Sequence, residues 1–170
     1  MDNFARCVVF TFGFEGGFTN NPSDPGNWTG GEIGKGELRG TNFGISAAAY
    51  PNLDIANLTQ DEAAAIYKQD YWATIQGDAL PGPIALVAFD AAVNAGPKRS
   101  VIWLQQAAGV AADGVMGPAT LAAVRGGDAA ALAREAVVRR LNFSTGLPTW
   151  GNFGLGWSRR LIALAAEINA

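Results

Sequence analysis

The chain has 170 residues, 49% hydrophobic and 16% charged, enough for one domain or two small ones around a real core and too apolar for disorder. It contains no histidine, which excludes Ser-His and Cys-His triads, HExxH zinc sites and every imidazole acid or base. Proton chemistry near neutral pH therefore falls to carboxylates, lysine, tyrosine or water, and the single cysteine, Cys7, excludes an intrachain disulfide and a cysteine-rich metal site.

Along the chain, Phe4, Cys7, Val8 and Phe12 recur at helical spacing and predict an amphipathic first helix. The apolar run over 4–14 is shorter than the ~18 residues of a membrane span and is interrupted by Arg6. With Asp2 ahead of it and no small-residue cleavage site behind, it does not read as a signal peptide. From Gly13 to Gly44 glycines crowd the sequence, with Pro22, Pro25 and the pairs Asp24-Pro25 and Gly30-Gly31. That is turn chemistry with at most a small β-hairpin, and a loop this long is usually functional. Thr59 and Glu62 have capping-box spacing before Ala63, Ile66, Tyr67, Tyr71 and Ile75, which share a helix face. Pro83 opens the next helix, with Ile84, Val87, Ala88 and Ala91 facing inward. Another covers 97–108, stopped by Gly109. Asp113-Gly114 turns the chain, Pro118 restarts it as far as Gly126-Gly127, and Asp128 caps a longer helix to about Phe143. After a loop with Gly, Pro and Trp, the positions Trp157, Leu161, Leu164 and Ile168 define the last helix. The expectation is a mainly α, α+β fold: a helical bundle with a small β-hairpin and glycine-rich excursion after the first helix.

Charge divides the chain. Residues 1–95 carry four basic and eleven acidic side chains, and residues 96–170 carry eight basic and four acidic. Chemistry in the first part and an anionic partner for the second would produce such a division, as would charges scattered over a solvated surface. The residue pattern that speaks to chemistry is Glu15, behind Phe10, Phe12 and Phe14 and followed by Gly16 and Gly17. A carboxyl at a helix end among aromatics is partly removed from water, which favours its neutral form, as glycoside hydrolysis requires of its acid. The glycines would let a polymer approach the backbone closely. Asp24 is a candidate second carboxylate, although Asp-Pro-Gly is also ordinary turn chemistry.

Glu15-Gly16-Gly17-Phe18-Thr19-Asn20, Asp24-Pro25-Gly26 and Gly40-Thr41-Asn42-Phe43-Gly44-Ile45-Ser46 together resemble the signature of glycoside hydrolase family 108, the N-acetylmuramidase family of phage and prophage endolysins. Tyr50-Pro51, Ile66-Tyr67, Tyr71-Trp72, Phe89-Asp90 and Val93-Asn94-Ala95-Gly96 continue the resemblance over about residues 8–96. Leu104-Gln105-Gln106-Ala107 and Asp113 to Thr120 resemble the peptidoglycan-binding region that accompanies this family. The resemblance implies a lysozyme-like muramidase region over 1–96 and a helical peptidoglycan-binding region over 97–170 packed on it.

It implies Glu15 as the catalytic acid, Asp24 as the group that positions or activates water, and Thr41 as the assisting threonine of phage-type lysozymes. The segment Asn27–Gly40 also carries Glu32 and Glu37, either of which could be the second catalytic group. Trp28, Phe43, Tyr71 and Trp72 are candidate sugar-facing aromatics, with Asp90 and Asn94 as polar substrate contacts; each could equally be a core or capping residue. Trp103, Trp150 and Trp157 belong either to the core or to a wall-binding surface, and Cys7 to the core. The implied reaction is cleavage of the β-1,4 bond between N-acetylmuramic acid and N-acetylglucosamine, with inversion expected and no cofactor or metal. A lytic transglycosylase and a non-catalytic wall-binding module are the alternatives. The implied partner is the peptidoglycan glycan strand, with no nucleic acid, no membrane insertion and a monomeric chain. Synthesis in the cytoplasm followed by holin-type release to periplasmic peptidoglycan is the expected route.

Overall fold

Helix α1 (Asn3–Phe12) opens the computed structural model, which describes residues 2–168. The described residues form two compact units. One is residues 8–67, here the loop unit; the other, here the bundle unit, consists of the described residues on either side of it.

The loop unit has little regular structure. After α1 the chain makes a 3₁₀ turn at Pro25–Asn27, then the hairpin β1 (Thr41–Asn42) and β2 (Ile45–Ser46), then helix α2 (Gln60–Tyr67). The strands pair antiparallel, Thr41 with Ser46 and Asn42 with Ile45, and a bridge from Thr19 to Thr41 adds a third line of chain. Phe43 and Gly44 form the two-residue turn with φ of 50° and 74°, the positive pair that a type I′ hairpin requires. The segment from Trp28 to Leu38 is a second excursion, closed by a bridge between those two residues. Buried Asn42 donates from Nδ2 to the carbonyls of Ile55 and Leu58, tying the later loop to the hairpin. At the start of α2 the expected capping box is complete. The Thr59 amide donates to Glu62 at 2.9 Å and the Glu62 amide donates back to the Thr59 hydroxyl at 3.3 Å.

In the bundle unit a π turn, Lys68–Trp72, follows α2 directly. This differs from the single helix face expected over 63–75. A π turn accommodates one extra residue, so burial runs Ala63, Tyr67, Trp72, Ile75 and leaves Tyr71 only half-buried. Helix α3 (Gly82–Ala95) is buried all round from Ile84 to Ala92 rather than on one side. A helix with apolar residues on every face is a central one, and α4 (Pro97–Ala107), α6 (Ala129–Thr145) and α7 (Trp150–Glu167) pack on it. The short α5 (Pro118–Gly126) leans on α6. Helix α7 begins seven residues before Trp157. Its early glycines read as loop in the sequence, yet Gly154 lies one turn after Trp150, and a Cβ there would stand 2.7 Å from the indole.

Two polar networks organise the bundle. Gln105, 1% exposed, accepts the Gly114 amide at 2.8 Å, and its Nε2 lies 2.7 Å from Asp113 Oδ1 and 3.0 Å from Thr120 Oγ1. The Asp-Gly and Gly-Pro-Ala-Thr landmarks are thus held by one buried amide. The second network centres on Asp90 and is described below. Cys7 is 1% exposed, and burial pushes its thiol up to about 12, with the Arg6 charge opposing. None of the described helices is long and apolar enough to cross a membrane.

Candidate active site

Glu15 sits just beyond α1, where its own amide still donates to the Thr11 carbonyl at 3.2 Å. That bond fixes the residue to the helix end while the chain turns away through Gly16 and Gly17. Its half-buried carboxyl reaches the hairpin turn. A Cβ on Gly44 would stand 2.8 Å from Glu15 Oε2 and 2.7 Å from the Tyr67 hydroxyl. Only a glycine fits there, for the space as well as for the positive φ. A Cβ on Gly16 or Gly17 would meet nothing within 4 Å, so the backbone just after Glu15 lies open.

The turn that carries Gly44 is held against its own preference. Phe43 occupies the left-handed region, uncommon for a bulky side chain. Its ring stacks on Phe12 at 5.5 Å and its carbonyl accepts the Tyr67 hydroxyl at 2.5 Å. Phe12 also packs on Tyr67, with ring centroids 5.3 Å apart. An aromatic group from α1, the hairpin and α2 therefore fixes the turn beside the acid.

Thr41 and Asp24 lie on the same framework. The Asp24 side chain accepts the Gly26 amide at 2.9 Å and caps the 3₁₀ turn, while the residue stays exposed. Gly26 in turn accepts the Ala48 amide at 3.0 Å, two residues beyond β2. Buried Asn27 joins the pieces. Its Nδ2 donates to the Asn21 carbonyl, so its Oδ1 faces the Thr41 hydroxyl and accepts from it at 2.7 Å. With its proton committed to Asn27, the Thr41 oxygen has only lone pairs left to offer. The Asn27 carbonyl also accepts both the Arg39 and Gly40 amides. Gly40 lets Thr19 approach β1, since a Cβ there would stand 2.5 Å from the Thr19 carbonyl oxygen.

Glu32 and Glu37 are exposed and paired with cations: Glu32 with Lys35 at 3.1 Å, and Glu37 with Arg39 at 2.6 Å. Trp28 donates its indole N–H to the Pro22 carbonyl. Among the described residues no three Cys, Asp or Glu side chains gather as a metal centre would need.

The remaining candidates belong to the bundle unit. Trp72 is 1% exposed, edge-on to Phe4 and Phe89, and its indole donates to Asp78 at 2.9 Å; it presents no ring face to a sugar. Asp90 is fully buried, with Arg140 at 2.6 Å and Arg160 at 2.7 Å. Two guanidinium groups occupy its carboxylate, a structural role for a charge without access to water. Asn94 is exposed one turn later, its Oδ1 accepting from Arg140 at 3.0 Å. Tyr71 is half-buried on the π turn. The loop unit therefore gathers Glu15, Asp24, Thr41 and Phe43, and the bundle unit holds Tyr71, Trp72, Asp90 and Asn94. Asn27 and the Tyr67 hydroxyl carry no sequence signal for their roles, because both act through contacts made by distant loops.

Residues 8–96 match the family model described as Glycosyl hydrolase 108, and residues 99–162 match the one described as Predicted Peptidoglycan domain. A search of curated proteins finds no match. Among solved structures the chain is similar to SagA of Brucella abortus, with 35% identity and a TM-score of 0.80 over 97% of this chain and 92% of that one. With the acid, the glycine turn and the threonine held on one small framework, and with these two matches in succession, the chain belongs to glycosyl hydrolase family 108.

Proposed function

We propose that the protein is an N-acetylmuramidase that hydrolyses the β-1,4 bond between N-acetylmuramic acid and N-acetylglucosamine in peptidoglycan. The observation that carries this reading is the Glu15 carboxyl, anchored to a helix end and seated on Gly44, with open backbone following it at Gly16 and Gly17. Glu15 gives its proton to the glycosidic oxygen as the bond to the muramic C1 breaks. A water attacks that carbon, and Asp24 takes the water's proton. Thr41 accepts a hydrogen bond from the same water, the only kind its oxygen can make once its proton is given to Asn27. Phe43 borders the acid as an apolar wall. The lysozyme-like region is taken as residues 1–96 and the wall-binding region as 97–170. Helix α3, in the first of these, is the buried core around which the second folds.

The test is digestion of purified sacculi by the parent and by Glu15→Gln, with mass spectrometry of the products. Reducing muramic acid ends, with release lowered roughly a thousandfold in the variant at unchanged melting temperature, support the reading. Anhydro-sugar ends would make the enzyme a lytic transglycosylase, and unchanged release would remove Glu15 from the mechanism. An endolysin role in host lysis is part of the proposal, supported by the family's phage and prophage membership. Lysis of cells that co-express a membrane-permeabilising holin is its test.

A further inference from the structure

Residues 96–170 hold a surplus of basic groups, and two of them, Lys98 and Arg99, line a groove of the bundle unit. A cleft of about 350 Å³ opens among Asn94, Arg99, Trp103, Phe143, Leu147 and Trp157. A second, of about 420 Å³, surrounds Lys98 and has Ala95 and Arg99 in common with the first, so Arg99 borders both. This volume suits a sugar with a short peptide.

The exposed polar side chains of the lining, Arg99, Lys98 and Asn94, offer donors, while Ser144 at its inner side gives its hydroxyl proton to the Arg140 carbonyl. The Arg99 guanidinium lies over the Phe143 ring at 4.1 Å. Stacking engages its flat face and leaves the N–H edge for an acceptor in the groove. Asn94 has its carboxamide oxygen turned to Arg140, which can only donate, so the amide N–H pair is what Asn94 offers besides. The first turn of α4 contains no acidic residue, and Lys98 adds a second cation there. The apolar lining is aromatic. Trp157 is half-buried beside Trp150 and Phe153, with ring centroids 6.0 and 5.9 Å away, and Phe153 is 55% exposed. A core does not need an exposed aromatic ladder beside a stacked guanidinium; a ligand with a flat apolar face and carboxylate or carbonyl acceptors does.

We propose that this groove binds the muramic unit of peptidoglycan together with its stem peptide, carboxylates toward Arg99 and Lys98 and a sugar face on Trp157. Resting on the muramidase reading above, it names the part of the substrate that the bundle unit recognises. The groove would keep the enzyme on peptide-bearing wall between cuts.

The test uses the full chain carrying Glu15→Gln and measures co-sedimentation with purified Gram-negative sacculi. Arg99→Glu, and separately Trp157→Ala, should weaken binding about tenfold or more, the effect of losing one charged or aromatic anchor. Arg99→Gln, which keeps the side chain's length without its charge, should lie between. Glycan stripped of peptides by an amidase keeps only the lactyl carboxylate of each muramic unit and should bind the parent more weakly than intact sacculi do. Thermal melts accompany each variant, and Arg99→Gln decides the matter if Arg99→Glu does not fold. Equal binding by folded Arg99 variants, or equal binding of stripped and intact wall by the parent, would overturn the assignment. Restoring Glu15 separates the two readings. Failure of the parent to cut any glycan would strike the muramidase reading and leave the binding result standing, whereas cutting by the parent with equal binding by the folded Arg99 variants would strike the groove alone.

Discussion

The two units of this protein are built on different physics. The loop unit has strands of two residues, and it is held by backbone turns, positive-φ glycines and a few buried amides, Asn27 and Asn42 above all. The bundle unit is held by apolar burial around α3, with one buried carboxylate gripped by two arginines. The candidate catalytic groups Glu15, Asp24 and Thr41 are all in the first. Placing chemistry on loops is common, because a loop can present an acid to an open cleft while a helical core cannot. What this protein adds is a means of making a loop exact: each key side chain is seated on a glycine or fixed by an amide whose orientation a third residue determines.

If that contrast is right, damage to the two units should have different signatures. The largest expected effect is on stability. Asp90→Ala leaves two buried guanidinium groups facing each other without their anion, at a cost of about 3–5 kcal/mol. The melting temperature should fall on the order of 10 °C. Calorimetry on the purified variant checks this, and an unchanged melt would mean that the triad contributes nothing to the bundle.

In the loop unit the signature should be catalytic. Gly44→Ala places a methyl between the Glu15 carboxyl and the Tyr67 hydroxyl, at a position with φ of 74°. The strain costs about 1–2 kcal/mol. Turnover should fall roughly a hundredfold, as expected when an acid is displaced by an ångström. Gly17→Ala is the counterpart, since a Cβ there meets only open space. Its fold should be indifferent, and any loss should appear in KM if glycan passes over that backbone. Steady-state kinetics on solubilised glycan separate the pair. A Gly44 variant with full activity would show that the acid does not depend on the turn.

A smaller effect is expected at Thr41. Thr41→Val removes the hydroxyl oxygen and leaves Asn27 Oδ1 without its donor, at about 1–2 kcal/mol. We expect roughly a tenfold loss in kcat with KM little changed, which is the size of a water-positioning contact rather than of an acid. Thr41→Ser should behave as the parent. Equal impairment of Ser and Val would trace the effect to packing of the methyl instead.

The contrast also explains what the sequence made legible. Helices α3 to α6 are announced by proline starts, the Asp128 cap and apolar spacing, all local signals, and they fall where those signals lie. The π turn and the early start of α7 are not, because each depends on a ring and a glycine meeting: Trp72 on Gly77, and Trp150 on Gly154. At the site, Glu15 is marked by its glycines and aromatic neighbours. The purpose of Gly44 is not, since a glycine needed for φ and one needed to seat a carboxylate look the same in one dimension. Asp90 and Trp72 fit a motif but not a cleft. A charged or aromatic residue in a family signature can be maintained by burial as well as by substrate, and only the buried position between Arg140 and Arg160 distinguishes the two.

The capping box at the head of α2 offers the smallest test, and it belongs to the loop unit's style of construction. The amide and hydroxyl hydrogen bonds from Thr59 hold the Glu62 carboxyl below its usual value of 4.5. The sign follows from linkage. Above pH 4.5 the carboxylate is ionised in both folded and unfolded chains, and its contribution to stability is fully present. As pH falls through the lower folded value, the folded state takes up the proton and the contribution is lost. Glu62→Gln keeps a polar cap but cannot titrate. It should therefore be slightly less stable than the parent at neutral pH, and the difference should close below about pH 4.5. Denaturation curves of parent and variant at pH 7 and pH 3.5 measure it. A gap that stays constant across that range would mean that the hydrogen bonds, and not the charge, are what the cap supplies.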